Sequence, residues 1–142
     1  MATVKQILER KGYDIWSVSP QTTVYEALQQ MSEKNVGALL VLENDVLVGV
    51  FSERDYARKL ILKGKASKDT LVHELMTSDV FYIEPHREIE DCLALMTDKH
   101  IRHLPVLEND RLIGIVTIGD IGKQIISDQQ FLIEQLEKYV SG

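Results

Sequence analysis

Apolar residues along this chain follow two spacings, one typical of a helix with a single buried face and the other typical of a buried strand. The helical spacing is clear where apolar side chains recur every three or four residues, at Val24, Ala27 and Met31. Residues 36–42 are almost all apolar, and a short polar turn separates them from a second apolar run at residues 47–51. The pattern predicts a helix followed by a hairpin of two strands.

The same two spacings predict an order of strand, helix, two strands and helix, and this order occurs twice. In the first half we expect a strand at 15–18, a helix that begins after its cap Thr23, strands at 36–42 and 47–51, and a helix at 54–63. In the second half we expect a strand at 81–83, a helix at 89–99, strands at 104–107 and 112–116, and a helix from residue 120 onward. Glu26, three residues after Thr23, predicts a capping box. A helical turn is expected at residues 70–76, and further amphipathic helices at residues 2–11, ending at Gly12, and at residues 128–140. The last helix either closes the core or forms a dimer contact, because a terminal amphipathic helix does either.

The two halves of the chain are copies of one unit. Residues 20–55 align with residues 85–120 without an insertion or a deletion, and the segment Val-Leu-Glu-Asn-Asp at 41–45 returns unchanged at 106–110. Asn and Asp tolerate the positive φ angles of tight hairpin turns, so both copies should turn at this point. A duplication also predicts two copies of whatever site the unit carries.

Composition and charge exclude several classes of function. The chain has 142 residues and a formal net charge of −6, which disfavours nucleic acid and anionic membranes as main partners. The single cysteine, Cys92, excludes an internal disulfide and should pack as a small apolar residue. The first residues show no signal-peptide pattern and no apolar run is long enough to span a membrane, so we expect a soluble cytoplasmic protein. The histidines lack the spacing of metal ligands, so no metal site is expected.

The chemistry-bearing positions lie where the last strand of each copy ends. Ser52 is followed three residues later by Asp55, and Thr117 is followed in the same way by Asp120. One interpretation is structural, since the hydroxyl caps a helix and the acid lies in its first turn. The other is functional, since amides and a hydroxyl at a helix N-terminus bind phosphate while a nearby carboxylate accepts the hydroxyls of a ribose.

Several features together identify a family. The Gly-x-x-(Ser/Thr)-x-x-Asp endings, the strand Leu104–Leu107 with its Pro-Val pair, the Asn-Asp hairpin and the tandem copy resemble a pair of CBS domains, the Bateman module, as found in stand-alone bacterial proteins. The resemblance implies an α/β (α+β) fold of two pseudo-symmetric β-α-β-β-α units, each with a small sheet and helices packed on one face. We place the first domain at 12–63, a linker at 64–77, the second domain at 78–124, and flanking helices at 1–11 and 125–142.

The resemblance also implies a function. CBS pairs commonly hold adenine nucleotides such as AMP, ADP, ATP or NAD(H) in two clefts and regulate another protein. We therefore expect a nucleotide sensor that is not an enzyme, has no catalytic cofactor, forms a homodimer, and signals through an effector protein that the sequence does not identify. The alternatives are an interaction module with non-functional clefts, and a nucleotide-processing enzyme for which His103 is the only candidate base.

The resemblance assigns residues to two sites. In the first, Asp120 would hold the ribose, Thr117 the phosphate and Arg102 and His103 further phosphate oxygens, with the base bordered by the remaining members, Tyr13, Asp14, Ile15, Trp16, Ile101 and Ile115. In the second, Asp55 and Ser52 would take the same parts and Arg54 would contact phosphate, with the base bordered by Asp79, Val80, Phe81, Val36, Ala38 and Val50.

Some of these residues have ordinary structural explanations. Arg102 could pair with a surface carboxylate, and His103 could be a packing histidine with satisfied hydrogen bonds. Trp16 and Phe81, which occupy equivalent positions, could serve the core or contact adenine. Residues alone leave these alternatives open, and only the family resemblance favours contact with nucleotide.

Overall fold

The structure, a computed structural model, describes residues 2–141, with only the backbone described for Ser141. In chain order the elements are α1 (Val4–Lys11), β1 (Ser17–Val18), α2 (Val24–Lys34), β2 (Ala38–Glu43), β3 (Val46–Ser52), α3 (Glu53–Asp55) with a π-helical continuation (Tyr56–Ile61), α4 (Val72–Leu75), α5 (Ile89–Lys99), β4 (His103–Glu108), β5 (Arg111–Thr117) and α6 (Ile118–Ser141). The predicted fold class, helices with small sheets arranged as two similar units, is confirmed.

The chain divides into two compact units. One, the continuous unit, comprises Ile15–Phe81, and the other, the split unit, comprises the described residues up to Asp14 together with those from Tyr82 onward. Each unit has its own buried apolar cluster. The N-terminal helix therefore folds with the second repeat, although it precedes the first repeat in the sequence.

The continuous unit is built on a three-stranded sheet of order β1-β2-β3. β1 runs parallel to β2, and β2 runs antiparallel to β3. Phe51 on β3 and Leu39 on β2 are fully buried, and α4 adds Val72 and Leu75 to the same cluster. The short helix α4 confirms the helical turn predicted within residues 70–76.

The split unit has a two-stranded sheet, because the strand predicted at residues 81–83 does not form. Only Ile83 pairs with the sheet, through a parallel bridge to Val106. In the first repeat the amide of Leu40 donates to the carbonyl of Trp16 at 3.2 Å. The equivalent of Leu40 is Pro105, which has no amide hydrogen, so that hydrogen bond is lost and the strand shortens.

The hairpin turns and most helix ends match the sequence prediction. Asn44 and Asp45 both have positive φ, as do Asn109 and Asp110, and Gly12 ends α1 at φ 104°. Thr23 caps α2 by accepting from the amide of Glu26 at 3.2 Å. The return bond from the Glu26 side chain, which would complete the predicted capping box, is not formed within this helix.

Two helices differ from the prediction. The helix expected at 54–63 starts one residue earlier and changes to π-helical geometry at Tyr56. The elements expected from residue 120 and at 128–140 are one continuous helix, α6, and no proline interrupts residues 118–141. Ile121 of α6 is buried in the core, but every residue from 126 to 140 is exposed, so the last turns do not close the core.

Candidate functional site

Asp55 is the third and last residue of α3, in the turn that Ser52 caps, and is held by donors from four groups. Its Oδ2 accepts from the amide of Ser52 at 3.0 Å and from the Ser52 hydroxyl at 3.1 Å. Its Oδ1 lies 3.2 Å from Nζ of Lys59 and accepts from the hydroxyl of Thr77 at 3.4 Å. The carboxylate is buried, at 9% exposure, and both of its oxygens are engaged within the continuous unit.

Asp120 occupies the equivalent position in the split unit and is held differently. The amide of Asp120 donates to the Thr117 hydroxyl at 3.1 Å, and the amide of Thr117 donates back to Asp120 Oδ2 at 2.9 Å. The same Oδ2 lies 2.7 Å from Nζ of Lys11, the last residue of α1. None of these contacts uses Oδ1, so this carboxylate keeps an oxygen outside them.

The structural interpretation of the hydroxyl and acid pairs is confirmed in both units, because each hydroxyl and each acid exchange hydrogen bonds across the first helical turn. That geometry does not exclude ligand binding. Thr117 and Asp120 are half-buried, so neither residue is fully enclosed by the protein.

The surroundings of Asp120 are electrostatically positive. Burial alone would raise the pKa of Asp120, but hydrogen bonds from Lys11 and Thr117 outweigh it and the pKa lies below its ordinary value. The pKa of His103 is also lowered, first by burial and then by the positive charges of Lys11 and Arg102, with Asp120 acting in the opposite sense. The imidazole is therefore neutral near pH 7 and lies within the field of two cations.

The strand hairpin β4–β5 brings three predicted residues together in the split unit. His103 pairs with Thr117 in the register of the two strands. The carbonyl of Arg102 accepts from the amide of Ile118 at 2.9 Å, so Arg102 lies beside the start of α6. Arg102 is exposed, and within residues 2–141 no carboxylate lies within ion-pair distance of it. The surface ion pair considered for Arg102 is therefore not observed there.

The equivalent positions of the continuous unit carry a different set of residues. Ala38 takes the place of His103, pairs with Ser52 and is buried. Arg54 is exposed and belongs to this unit. Val50 lies beside Thr77, and their amides and carbonyls exchange two hydrogen bonds at 3.0 and 2.9 Å. This bridge fixes Thr77, whose hydroxyl contacts Asp55. Asp79, Val80 and Phe81 follow Thr77 closely in the sequence.

Five of the twelve residues predicted to border the bases are exposed, namely Tyr13, Asp14, Trp16, Asp79 and Phe81. Tyr13 and Asp14 belong to the split unit, whereas Ile15 and Trp16 belong to the continuous unit. Nζ of Lys34 lies 4.5 Å from the centre of the Trp16 ring, a cation–π contact. Trp16 and Phe81 are 38% and 37% exposed, so neither is a buried core residue.

Some of the predicted residues pack at the edge of a core or on a strand, and two others line cavities. Ile101 packs at the edge of the split-unit core, and Ile115 is half-buried on β5. Tyr13 contributes to a cavity of about 360 Å³ with Leu8 and Ile113. Val36 contributes to a second cavity, of about 640 Å³, beside the end of α2. Neither cavity is lined by Asp55 or Asp120.

Three residues at these acids were missed by the sequence analysis. Lys59 stands four residues after Asp55, a spacing that predicts a helical ion pair and could have been recognised. Thr77 and Lys11 are far from their partners in the sequence and follow no spacing rule. Only folding shows that they touch Asp55 and Asp120.

The sequence analysis also made predictions about metal sites, membrane-spanning segments and the packing of Cys92. Among residues 2–141 no cluster of three or more His, Cys, Asp or Glu side chains could hold a metal ion. None of the helices described is long and apolar enough to cross a membrane. Cys92 is fully buried, as expected, and burial raises the pKa of its thiol to about 12.

Comparison with known proteins gives a consistent result. The family model of the CBS domain matches twice, over residues 4–62 and 72–127. The mitochondrial CBS domain-containing protein CBSX3 of Arabidopsis thaliana is 34% identical over 150 aligned positions, which cover 99% of this chain and 72% of the relative. The CBS domain-containing protein YhcV of Bacillus subtilis is 33% identical, with 91% and 89% covered. A solved structure from Burkholderia ambifaria MC40-6, described as a signal-transduction protein with CBS domains, is 47% identical, with a TM-score of 0.88 over 90% of this chain and 96% of that one.

Proposed function

The chain belongs to the CBS-domain family and carries two copies of the domain, and from this premise we propose that it binds an adenine nucleotide and reports its presence to a partner protein. The candidate ligands are AMP, ADP, ATP and NAD(H). The observation that carries the proposal is the arrangement at Asp120. A carboxylate with an oxygen outside its internal contacts lies beside a threonine hydroxyl at the start of a helix, within a positive field.

Each part of a nucleotide has a matching group in the split unit. The ribose hydroxyls are donors, and the ionised Asp120 is an acceptor whose lowered pKa keeps it charged near neutral pH. The phosphate is an acceptor, and Thr117 with the exposed guanidinium of Arg102 supplies donors. Contacts to the sugar and the phosphate thus give this site its specificity. The base would be bordered by Ile101, Ile115, Tyr13 and Asp14.

The continuous unit supports a weaker second site. Ser52 and Asp55 have the residue types of a ribose and phosphate pair, but Asp55 already accepts on both oxygens from Ser52, Lys59 and Thr77. A ligand would have to displace one of these donors, which opposes binding. We therefore assign the principal nucleotide site to Asp120 and leave Asp55 a mainly structural role.

The experiment compares AMP with 2′-deoxy-AMP by isothermal titration, using protein refolded to remove any carried-over ligand. Asp120→Ala should weaken AMP binding more than binding of the deoxy analogue, because it removes the acceptor for the ribose hydroxyls. Asp128→Ala, on the same helix, is the matched control and should change neither. Equal losses for both ligands would remove the ribose role of Asp120. An absence of heat with AMP, ATP and NADH would remove the nucleotide function.

One observation favours an interaction function alongside or instead of ligand binding. The α6 stripe, which comprises Ile126, Leu132, Ile133, Leu136, Tyr139 and Val140, lies along one side of the helix and is more than half exposed at every member. An apolar stripe of this length is typical of a contact with another polypeptide. The proposed partner is a second copy of this chain, because a stripe on one helix can pack against itself across a twofold axis.

A further inference from the structure

Lys11 is fixed in position although it lies in the last turn of a short helix. Val4, Ile7 and Leu8 of α1 are fully buried in the split-unit core. The amides of Val4 and Lys5 donate to the carbonyls of Arg87 and Pro85, both at 2.9 Å. These contacts anchor α1 on the second repeat, and its C-terminal end then brings Lys11 to the start of α6.

The ammonium of Lys11 joins the candidate site directly. It donates to Asp120 Oδ2 at 2.7 Å and to the carbonyl of Ile115 at 3.0 Å. The amide of Thr117 donates to the same Asp120 oxygen at 2.9 Å. Because Lys11 and Thr117 share one acceptor atom, a ligand that reaches Thr117 and Asp120 also meets the Lys11 ammonium.

A lysine ammonium has three donors, and the two contacts above use two of them. The side chain of Lys11 is 27% exposed, so solvent and ligand can reach it. Lys11 and Arg102 act on His103 as two positive charges and Asp120 acts on it as a negative one, and burial together with the two cations lowers the pKa of His103. The local charge is therefore positive in an acidic chain, and an added anion would be attracted.

We propose that Lys11 is a phosphate-binding residue of the second-repeat site and makes that site select phosphorylated nucleosides over free nucleosides. The inference rests on the proposed function and extends it to a residue outside the aligned segments 20–55 and 85–120. For a nucleotide, the third donor of Lys11 meets a phosphate oxygen. A nucleoside has no phosphate, so the third donor of Lys11 finds no partner on it and Lys11 contributes nothing favourable.

The ion pair in the other unit shows why Lys11 is more than a surface counter-ion. Lys59 lies in the π-helical continuation that follows Asp55 and also donates to the carbonyl of Leu75, the last residue of α4, at 3.0 Å. Lys11 belongs to α1, far from Asp120 in the sequence, and its ammonium contacts Asp120 of the Thr117 and Asp120 pair directly. A partly exposed ion pair alone stabilises a fold only slightly, so replacing Lys11 should leave the protein folded.

The test measures AMP and adenosine binding by isothermal titration for the wild-type protein, Lys11→Met, Lys11→Arg and Arg10→Met. Lys11→Met should weaken AMP binding roughly tenfold or more, the effect of losing one charge-assisted hydrogen bond, and should leave adenosine binding equal or tighter. Lys11→Arg, which keeps the charge, should retain most of the preference for AMP. Arg10→Met removes an exposed cation from the same helical turn and should change neither affinity, and circular dichroism checks that all variants are folded.

The outcomes separate this inference from the function on which it rests. If the wild-type protein binds AMP and Lys11→Met weakens AMP and adenosine by the same factor, or weakens neither, the phosphate role of Lys11 is wrong while nucleotide binding stands. If the folded wild-type protein binds neither ligand, the proposed function fails and the inference with it. A loss confined to AMP that Lys11→Arg restores supports both.

Discussion

Leu8 packs so closely on Gly114 that a methyl group added to the glycine would lie 2.8 Å from Leu8 Cδ2. The contact joins the N-terminal helix to the last strand of the second repeat. In the continuous unit the equivalent glycine, Gly49, is covered in the same way by Met76, just after α4. Thus α1, which precedes the first repeat in the sequence, packs on β5 of the second repeat. In the same way, the segment of α4 and Met76, which precedes the second repeat, packs on β3 of the first repeat.

Gly114→Ala should destabilise the protein by about 1–3 kcal/mol, because the added methyl group overpacks the contact between α1 and β5. Gly122→Ala is the matched control. Gly122 lies inside α6, and a methyl group added there would have no neighbouring atom within 4 Å, so this change should stabilise the protein by about 0.5–1 kcal/mol. Urea unfolding followed by circular dichroism measures both. A Gly114→Ala protein as stable as wild type would show that α1 is not packed as described.

Asp55→Ala should destabilise the protein by roughly 2–4 kcal/mol, because it removes a buried acceptor and leaves Lys59 and Thr77 without their partner. Asp120→Ala should cost less, because Asp120 is less buried and Lys11 can turn to solvent. Urea unfolding of the two variants under the same conditions makes the comparison. If Asp120→Ala cost as much as Asp55→Ala, the division into a structural acid and a binding acid would not hold.

Stability should fall as the pH drops below the ordinary pKa of His103. The folded-state pKa of His103 lies below 6.5, so the unfolded chain takes up a proton first and the free energy of unfolding decreases as the pH falls from 6.5 towards the folded value. Burial is the largest cause of the lowered pKa; the charges of Lys11 and Arg102 add to it, while Asp120 opposes it. The stabilising effect is complete above 6.5, where both states are neutral.

The urea midpoint between about pH 7.5 and about pH 5.5 measures this linkage. His103→Gln should lose part of the pH dependence that wild type shows, since glutamine does not titrate. Lys11→Met should also flatten the profile, because it removes one of the charges that oppose protonation. Identical profiles for wild type and His103→Gln would show that the His103 pKa is not shifted in the stated direction.

The homodimer proposed through the α6 stripe should be disrupted by Leu132→Glu. A charge placed in the stripe must be desolvated when a second helix covers it, which opposes association. Gln130→Glu adds the same charge to α6 outside the stripe and should leave association unchanged. Sedimentation velocity over a range of concentrations reports the result. A wild-type protein that is monomeric throughout, or a Leu132→Glu protein that still dimerises, would contradict the proposed contact.

Local elements could be predicted from the sequence because their signals are local. The apolar spacing at Ile89, Cys92 and Met96 predicted a helix over 89–99, and α5 has those bounds. The Asn-Asp pairs predicted turns with positive φ in both copies. The strand at residues 81–83 was predicted wrongly because its hydrogen bonding depends on a partner strand. The partner carries Pro105, whose effect on Phe81 appears only once the two segments are known to be neighbours.

The gapless alignment of residues 20–55 with 85–120 and the endings at Ser52–Asp55 and Thr117–Asp120 were determined by the chain alone, because repetition and helix caps are written in consecutive residues. The tertiary structure decided which helix packs on which repeat, and with it which cation meets Asp120. Lys11 and Asp120 are 109 positions apart, and α1 has an apolar face that could cover many surfaces. The close fit of Leu8 to Gly114 selects one of them, because packing between distant segments depends on shape in three dimensions, which no spacing along the chain records.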